Sequence, residues 1–208
     1  MLTASNLANL EPHAWLYDCI QRLAAHASNP VLEVLHDVAV VEQEHKYPEP
    51  GLTFAGNGVR AFYHCHDASS RPADEHGHFH LFLHCGGERE PMQNWTHLAG
   101  LSMDRFGQPL RWFTVNRWVS GGPWWSAPEL VALMEQNMTT EGLLLVESWL
   151  LAMVAVYQPE LVQLLNERDQ TLTRLMADAN DQVVLEDRRY YELSACAIDL
   201  LKKFQEDK

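Results

Sequence analysis

Apolar positions recur at helical spacing near the start of the chain: Leu16, Ile20 and Leu23 share one face, behind a Pro12 suited to a first turn. Asn29-Pro30 breaks the pattern, and a second helical stretch fades before Tyr47-Pro48, so residues 11–44 predict two helices. Beyond Gly51 the texture changes. Aromatic and β-branched residues gather in short runs, separated by turn clusters at Gly56-Asn57-Gly58, residues 71–74, Gly86-Gly87 and Gly121-Gly122-Pro123. The runs predict strands near residues 59–66, 77–85, 97–104 and 110–119, in a mainly antiparallel meander because no connection is long enough for a crossover helix. From Ala127 helical spacing returns. Pro159 opens a helix toward Met176, and Val184, Arg188, Tyr191, Ala195, Ile198 and Leu201 mark one face of a last helix. The expected fold is α+β: a mainly antiparallel sheet over about residues 53–119, flanked by two N-terminal helices and a C-terminal helical layer. One domain is expected over 1–208, helical in 1–46, sheet in 47–126 and helical again in 127–208.

Composition narrows the partners. At 47% apolar and 21% charged, the chain matches ordinary globular proteins. A formal net charge of -13 repels phosphate backbones and anionic lipid, which argues against nucleic acid or a membrane and leaves a small molecule, a metal or a protein. The longest apolar run, residues 143–157, is too short to span a bilayer and contains Glu147, so it predicts a buried helix. With no secretory signal at the N-terminus, the expected location is the cytoplasm. Cys19, Cys65, Cys85 and Cys196 form no C-x-x-C pair, which argues against a zinc ribbon or a disulfide framework, although Cys65 and Cys85 flank the histidines discussed next. Oligomeric state is not encoded in any of these features.

All 11 histidines lie in the first half of the chain, and six of them (His64, His66, His76, His78, His80 and His84) fall between residues 64 and 84. On a strand, residues two apart share a face, so His64 and His66 face one way on one strand, and His76, His78, His80 and His84 on the next. Two imidazoles about 7 Å apart at Cα can lean over one ion while the neighbouring strand supplies a third. The candidate ligands are His78 and His80 with His64 or His66, holding iron(II) or zinc. Asp67, Asp74 and Glu75 lie in the connection; Glu75, which enters the second strand directly, is the preferred general base or carboxylate ligand. His84 is about 13 Å along the strand from His80, out of reach. His13, His26 and His97 stand outside the hairpin and are expected to leave a metal untouched. The bland alternative is a solvent face, since Phe79, Leu81 and Leu83 make the opposite, apolar side. Phe62 and Phe82 share the histidine side and argue for a covered pocket.

The predicted strand 110–119 alternates Trp112, Thr114, Asn116 and Trp118 with Arg111, Phe113, Val115 and Arg117. Asn116 and Arg117 are the candidate substrate contacts: a guanidinium fork can clamp a carboxylate or phosphate, or else pair with Glu147 or Glu186. Glu33-x-x-His36 and Glu42-x-x-His45 match the spacing of di-iron bundles, but no second such pair completes the set. No Walker loop, dinucleotide fingerprint, Gly-x-Ser-x-Gly elbow or His-Glu-x-x-His is present.

The His-x-His spacing resembles, locally, the metal hairpins of cupins and α-type carbonic anhydrases; the helical C-terminal third fits neither fold, so no activity carries over. The longer pattern Glu75-His76-Gly77-His78-Phe79-His80-Leu81-Phe82, then Asn116-Arg117-Trp118-Val119, then Glu186-Asp187-Arg188 resembles a family of uncharacterised bacterial proteins of about this length, which implies a domain of its own kind and no mechanism. The functional expectation is a metal-dependent enzyme acting on a small molecule, hydrolytic with zinc and oxygen-dependent with iron. The alternative is a non-catalytic metal or small-ligand binding protein.

Overall fold

Pro12 in the first turn starts helix α1 (Pro12–Ala25), and the Asn29 side chain caps α2 (Pro30–Leu35) by accepting from the N–H groups of Val31 and Leu32 at 3.0 and 2.9 Å. The computed structural model describes residues 11–54, 58–67, 72–86, 94–137, 142–177 and 180–205. Within them six strands, β1 (Tyr47–Thr53), β2 (Val59–His64), β3 (Gly77–His84), β4 (Trp95–Met103), β5 (Pro109–Val115) and β6 (Glu192–Ala197), form one sheet. Its order is β1-β2-β3-β4-β5-β6, and each neighbouring pair is antiparallel. Between β5 and β6 lie α3 (Arg117–Ser120), α4 (Ala127–Gln136), α5 (Leu145–Val156), α6 (Gln158–Met176) and α7 (Asp181–Leu185); α8 (Leu200–Gln205) follows β6. The α+β class and the antiparallel meander are as the sequence predicts.

Four boundaries differ from expectation. The second N-terminal helix, expected to continue to about residue 44, ends at Leu35, and residues 36–46 are turns and irregular chain. The sheet gains β1, an edge strand not expected next to Tyr47-Pro48; Pro48 and Pro50 both fall in the register irregularity between its paired residues Tyr47 and Leu52, where a proline is tolerated. The last predicted helix is instead α7, a turn and β6: residues 192–197 complete the other edge by pairing with β5. The spacing of Val184, Arg188, Tyr191 and Ala195 imitates a helical face by chance. The predicted strand 110–119 stops at Val115, because the Asn116 side chain turns the chain into α3 by accepting from the Arg117 N–H at 2.9 Å.

One face of the sheet is the core. Tyr63, Phe79, Leu81, Leu83, Leu101 and Trp112 are buried there, and Trp149 of α5 meets Phe79 at 6.5 Å between ring centroids. Helix α5 buries ten of its twelve residues, which accounts for the long apolar run. The Trp15 indole N–H ties α1 to it by donating to Ser148 Oγ at 2.9 Å. No single helix among the described residues is long and apolar enough to cross a membrane. The opposite face carries Phe62, His64, His78, His80 and Phe82.

Candidate metal centre

Register brings the histidines together. His64 stands directly opposite His78, and Phe62 opposite His80, so two rows of side chains cross from β2 to β3. The first row continues through Ser102 to Arg111, the second through Gly100 to Phe113. Gly100 is required where it stands: a Cβ there would lie 2.3 Å from Phe113 Cζ. Without one, the Phe113 ring lies across the sheet and meets His78 edge-on at 5.2 Å. Between Leu81 and Phe82 the pairing with β4 shifts by one, so that Phe82 faces His97. An added residue in β4 reverses the facing of everything beyond it, which brings His97 onto the histidine face.

His64, His78 and His80 each offer a ring nitrogen, all within 4.8 Å of one another, and could hold a metal ion. His64 Nε2 and His78 Nε2 are 2.7 Å apart. Tetrahedral ligation at about 2.0–2.1 Å places neighbouring nitrogens about 3.3 Å apart, within the range these side chains span. Glu75 fixes the orientation and tautomer of His78: its carboxylate accepts from His78 Nδ1 at 2.8 Å, leaving Nε2 as a lone-pair donor. Ser102 Oγ donates to the other carboxylate oxygen, and Arg111 Nη2 lies 3.9 Å from it. Burial alone would raise the Glu75 carboxyl, but the hydrogen bonds and charges of His78, Ser102 and Arg111 outweigh it and keep Glu75 below the usual carboxylate range. His80 Nδ1 and His97 Nε2 share a hydrogen bond at 2.8 Å; with His80 donating, its Nε2 keeps a lone pair.

Burial holds these imidazoles neutral. It lowers His64 to about 3, helped by its neighbours His78, His66 and Lys46, and His97 to about 3, helped by Arg168 and His78. His78 is also lowered by burial, which the Glu75 carboxylate partly opposes, and His80 is lowered further by burial and the surrounding histidines. Neutral imidazole is the form that ligates metals.

A cavity of ≈ 440 Å³ opens beside the cluster, with His64, His66 and His80 in its wall together with Phe62, Phe82 and Trp118. The histidine face is therefore covered rather than a solvent face. His66 joins a second group with His64 and Glu44, whose donor atoms also lie within 4.8 Å of one another. Glu44 hydrogen-bonds His66 Nδ1, and Tyr191 Oη lies 3.4 Å from His66 Nε2. Burial, with Glu44, Glu75 and Glu192 nearby, pushes the Tyr191 phenol up to about 12. Glu44 has a left-handed backbone, φ 61°, which is uncommon outside glycine and costs about 1–2 kcal/mol.

Several expectations shift. Glu75 is 4% exposed and reaches His78 rather than the cavity, so its position is that of an orienting group. His97 does not stand outside the cluster: it is buried against His80. His76 precedes β3, and its Nδ1 bonds Tyr63 Oη at 2.6 Å, away from His78 and His80. His84 packs on Trp95, outside both groups. The Asn116 amide donates to the Val184 carbonyl at 2.8 Å, and Arg117 pairs with Glu186, the acidic partner available to it. Both are thus engaged in holding α3 against residues 184–186, which sets Trp118 in the cavity wall. No cysteine, and neither Glu-x-x-His pair, enters a metal-capable group among the described residues. Sequence reading missed Glu44 and Tyr191, which carry no local motif.

A family model described as a domain of unknown function, DUF6969, matches residues 11–198. No curated protein and no solved structure matches the chain.

Proposed function

Since the chain belongs to the DUF6969 family, whose description supplies no chemistry, we propose from the site alone that it is a metal-binding protein that acts on a small molecule. His64, His78 and His80 are the ligands in this reading, and the cavity beside them receives the substrate. The observation that carries it is the convergence of three neutral imidazole nitrogens within 4.8 Å, one of them oriented by a buried carboxylate. Zinc fits the donor set best: three imidazoles with the Glu75 carboxylate diverted onto His78 match a catalytic three-ligand site that keeps a position open. A zinc ion bound there supplies Lewis acidity for hydrolysis or hydration. The protein's own contribution is to hold His78 by Glu75, to hold His80 by His97, and to keep the imidazoles deprotonated by burial.

Iron(II) is the second reading, favoured by a different observation. Glu44, His64 and His66 make a two-histidine, one-carboxylate set at the cavity wall, the donor type of oxygen-dependent iron enzymes. Elemental analysis of untagged protein separates the two. About one equivalent of zinc that falls away in His78→Ala and His80→Ala supports the three-histidine site. Iron that survives those changes but is lost in Glu44→Gln and His66→Ala supports the second set. Less than about a tenth of an equivalent of any metal, after growth in metal-supplemented medium, counts against both.

A further inference from the structure

We propose that the cavity takes a small organic carboxylate with a planar aromatic body, its anionic end held by Arg60 and Lys46 and its far end presented to the imidazoles. What happens at that far end rests on the metal reading above; binding itself does not. Along β2, Arg60, Phe62 and His64 all line the cavity, so a guanidinium, an aromatic ring and an imidazole follow one another at intervals of about 7 Å. On β3 their opposite numbers are Phe82, His80 and His78. The cavity wall thus runs from the Arg60 guanidinium, past the aromatic rings with the Lys46 ammonium over Phe62, to the imidazoles.

The two cations are placed for an outside partner. The Arg60 guanidinium lies 5.0 Å over the Trp95 ring, and the Lys46 ammonium 4.6 Å over the Phe62 ring. Neither makes an ion pair among the described residues; Arg105, Arg174 and Arg188 share that, but Arg60 and Lys46 are the basic residues that line this cavity, whereas Arg111, Arg117, Arg168 and Lys203 are paired. Carboxylates are in excess, with 28 acidic against 15 basic residues, so two cations over one cavity without an acidic partner in that set mark a place for an external carboxylate. Glu44, a carboxylate in the same wall, is engaged by His66. The rings of Phe62 and Phe82 stack at 5.6 Å and offer a flat apolar surface for the body of the ligand.

The test is titration calorimetry on the full chain, with benzoate, phenylacetate and 3-phenylpropionate compared against their neutral amides. Both chelator-treated protein and protein loaded with one equivalent of zinc are titrated. At least one acid is expected to bind the chelator-treated protein, with its amide about tenfold weaker or worse, and Arg60→Gln and Lys46→Gln are each expected to weaken the acid about fivefold or more. The comparison of acid with amide uses the unaltered chain and so does not depend on a variant folding. The proposal is overturned if no acid binds, if acid and amide bind equally, or if both variants bind like the parent. Acid binding that vanishes on chelation and ignores Arg60→Gln places the carboxylate on the ion, which overturns this proposal and leaves the metal site standing. Acid binding as expected, in protein that retains no metal, does the reverse.

Discussion

Glu75 and His97 are two residues that touch ring nitrogens on the far side of the cluster, and each has a consequence for metal retention. Glu75→Gln keeps the shape of the side chain but removes the charge that fixes the His78 tautomer, so metal affinity is expected to fall about 10–100-fold, as measured by competition with a chelator. His97→Ala removes the partner of His80 and is expected to weaken metal at least several-fold, while His13→Ala leaves it unchanged; equal retention in both would show that His97 has no part in the site. His64, His66, His78, His80 and Glu75 were legible as candidates because strand alternation is a local property of the sequence. His97 was not legible, since it reaches His80 only through the shift in register between Leu81 and Phe82, which leaves no mark in composition. Glu44 lies beside His66 because its N–H donates to the Cys65 carbonyl at 3.0 Å, a contact equally invisible to pattern.

At the scale of elements, the site depends on β4 and β5 as much as on the hairpin. Gly100→Ala is expected to force the Phe113 ring off the sheet, costing about 1–3 kcal/mol in urea denaturation and loosening the edge contact on His78. Adding Phe113→Leu should restore much of that stability, because the smaller side chain vacates the space. A Gly100→Ala protein as stable as the parent would show that the close approach of the ring is dispensable. The hairpin and the meander were readable from turn clusters and short connections, which constrain neighbours in sequence. Strand β6 was not: it pairs with β5 across about 80 residues, and on a half-exposed edge its spacing passes equally well for a helical face. The Asn116 cap that ends β5 falls within what reads as continuous alternation, so the strand is predicted too long.

Across the whole molecule, burying four imidazoles makes stability depend on pH. In the unfolded chain a histidine titrates near 6.5, whereas His64 and His97 are lowered to about 3 and His78 and His80 are also lowered. As pH falls through 6.5 the unfolded chain takes up protons that the folded one refuses, so metal-free protein loses stability, by up to about 1.4 kcal/mol per pH unit for each such histidine. Glu75, lowered in the fold, adds to the loss at more acidic pH still. Above pH 6.5 these histidines contribute no slope. Urea midpoints of chelator-treated protein should therefore be lower at pH 5.5 than at pH 7.5, and His97→Phe should flatten the dependence; a midpoint that does not move would mean these rings are not held neutral.

The central claim, that three imidazoles of one sheet face hold the metal, is most directly tested by X-ray absorption at the edge of the metal that purifies with the untagged protein. The expected spectrum has about three nitrogen scatterers near 2.0–2.1 Å with the outer-shell pattern of imidazole, and His78→Ala lowers that number. A sulfur shell near 2.3 Å, an oxygen-only shell, or an imidazole count unchanged by His78→Ala would contradict it.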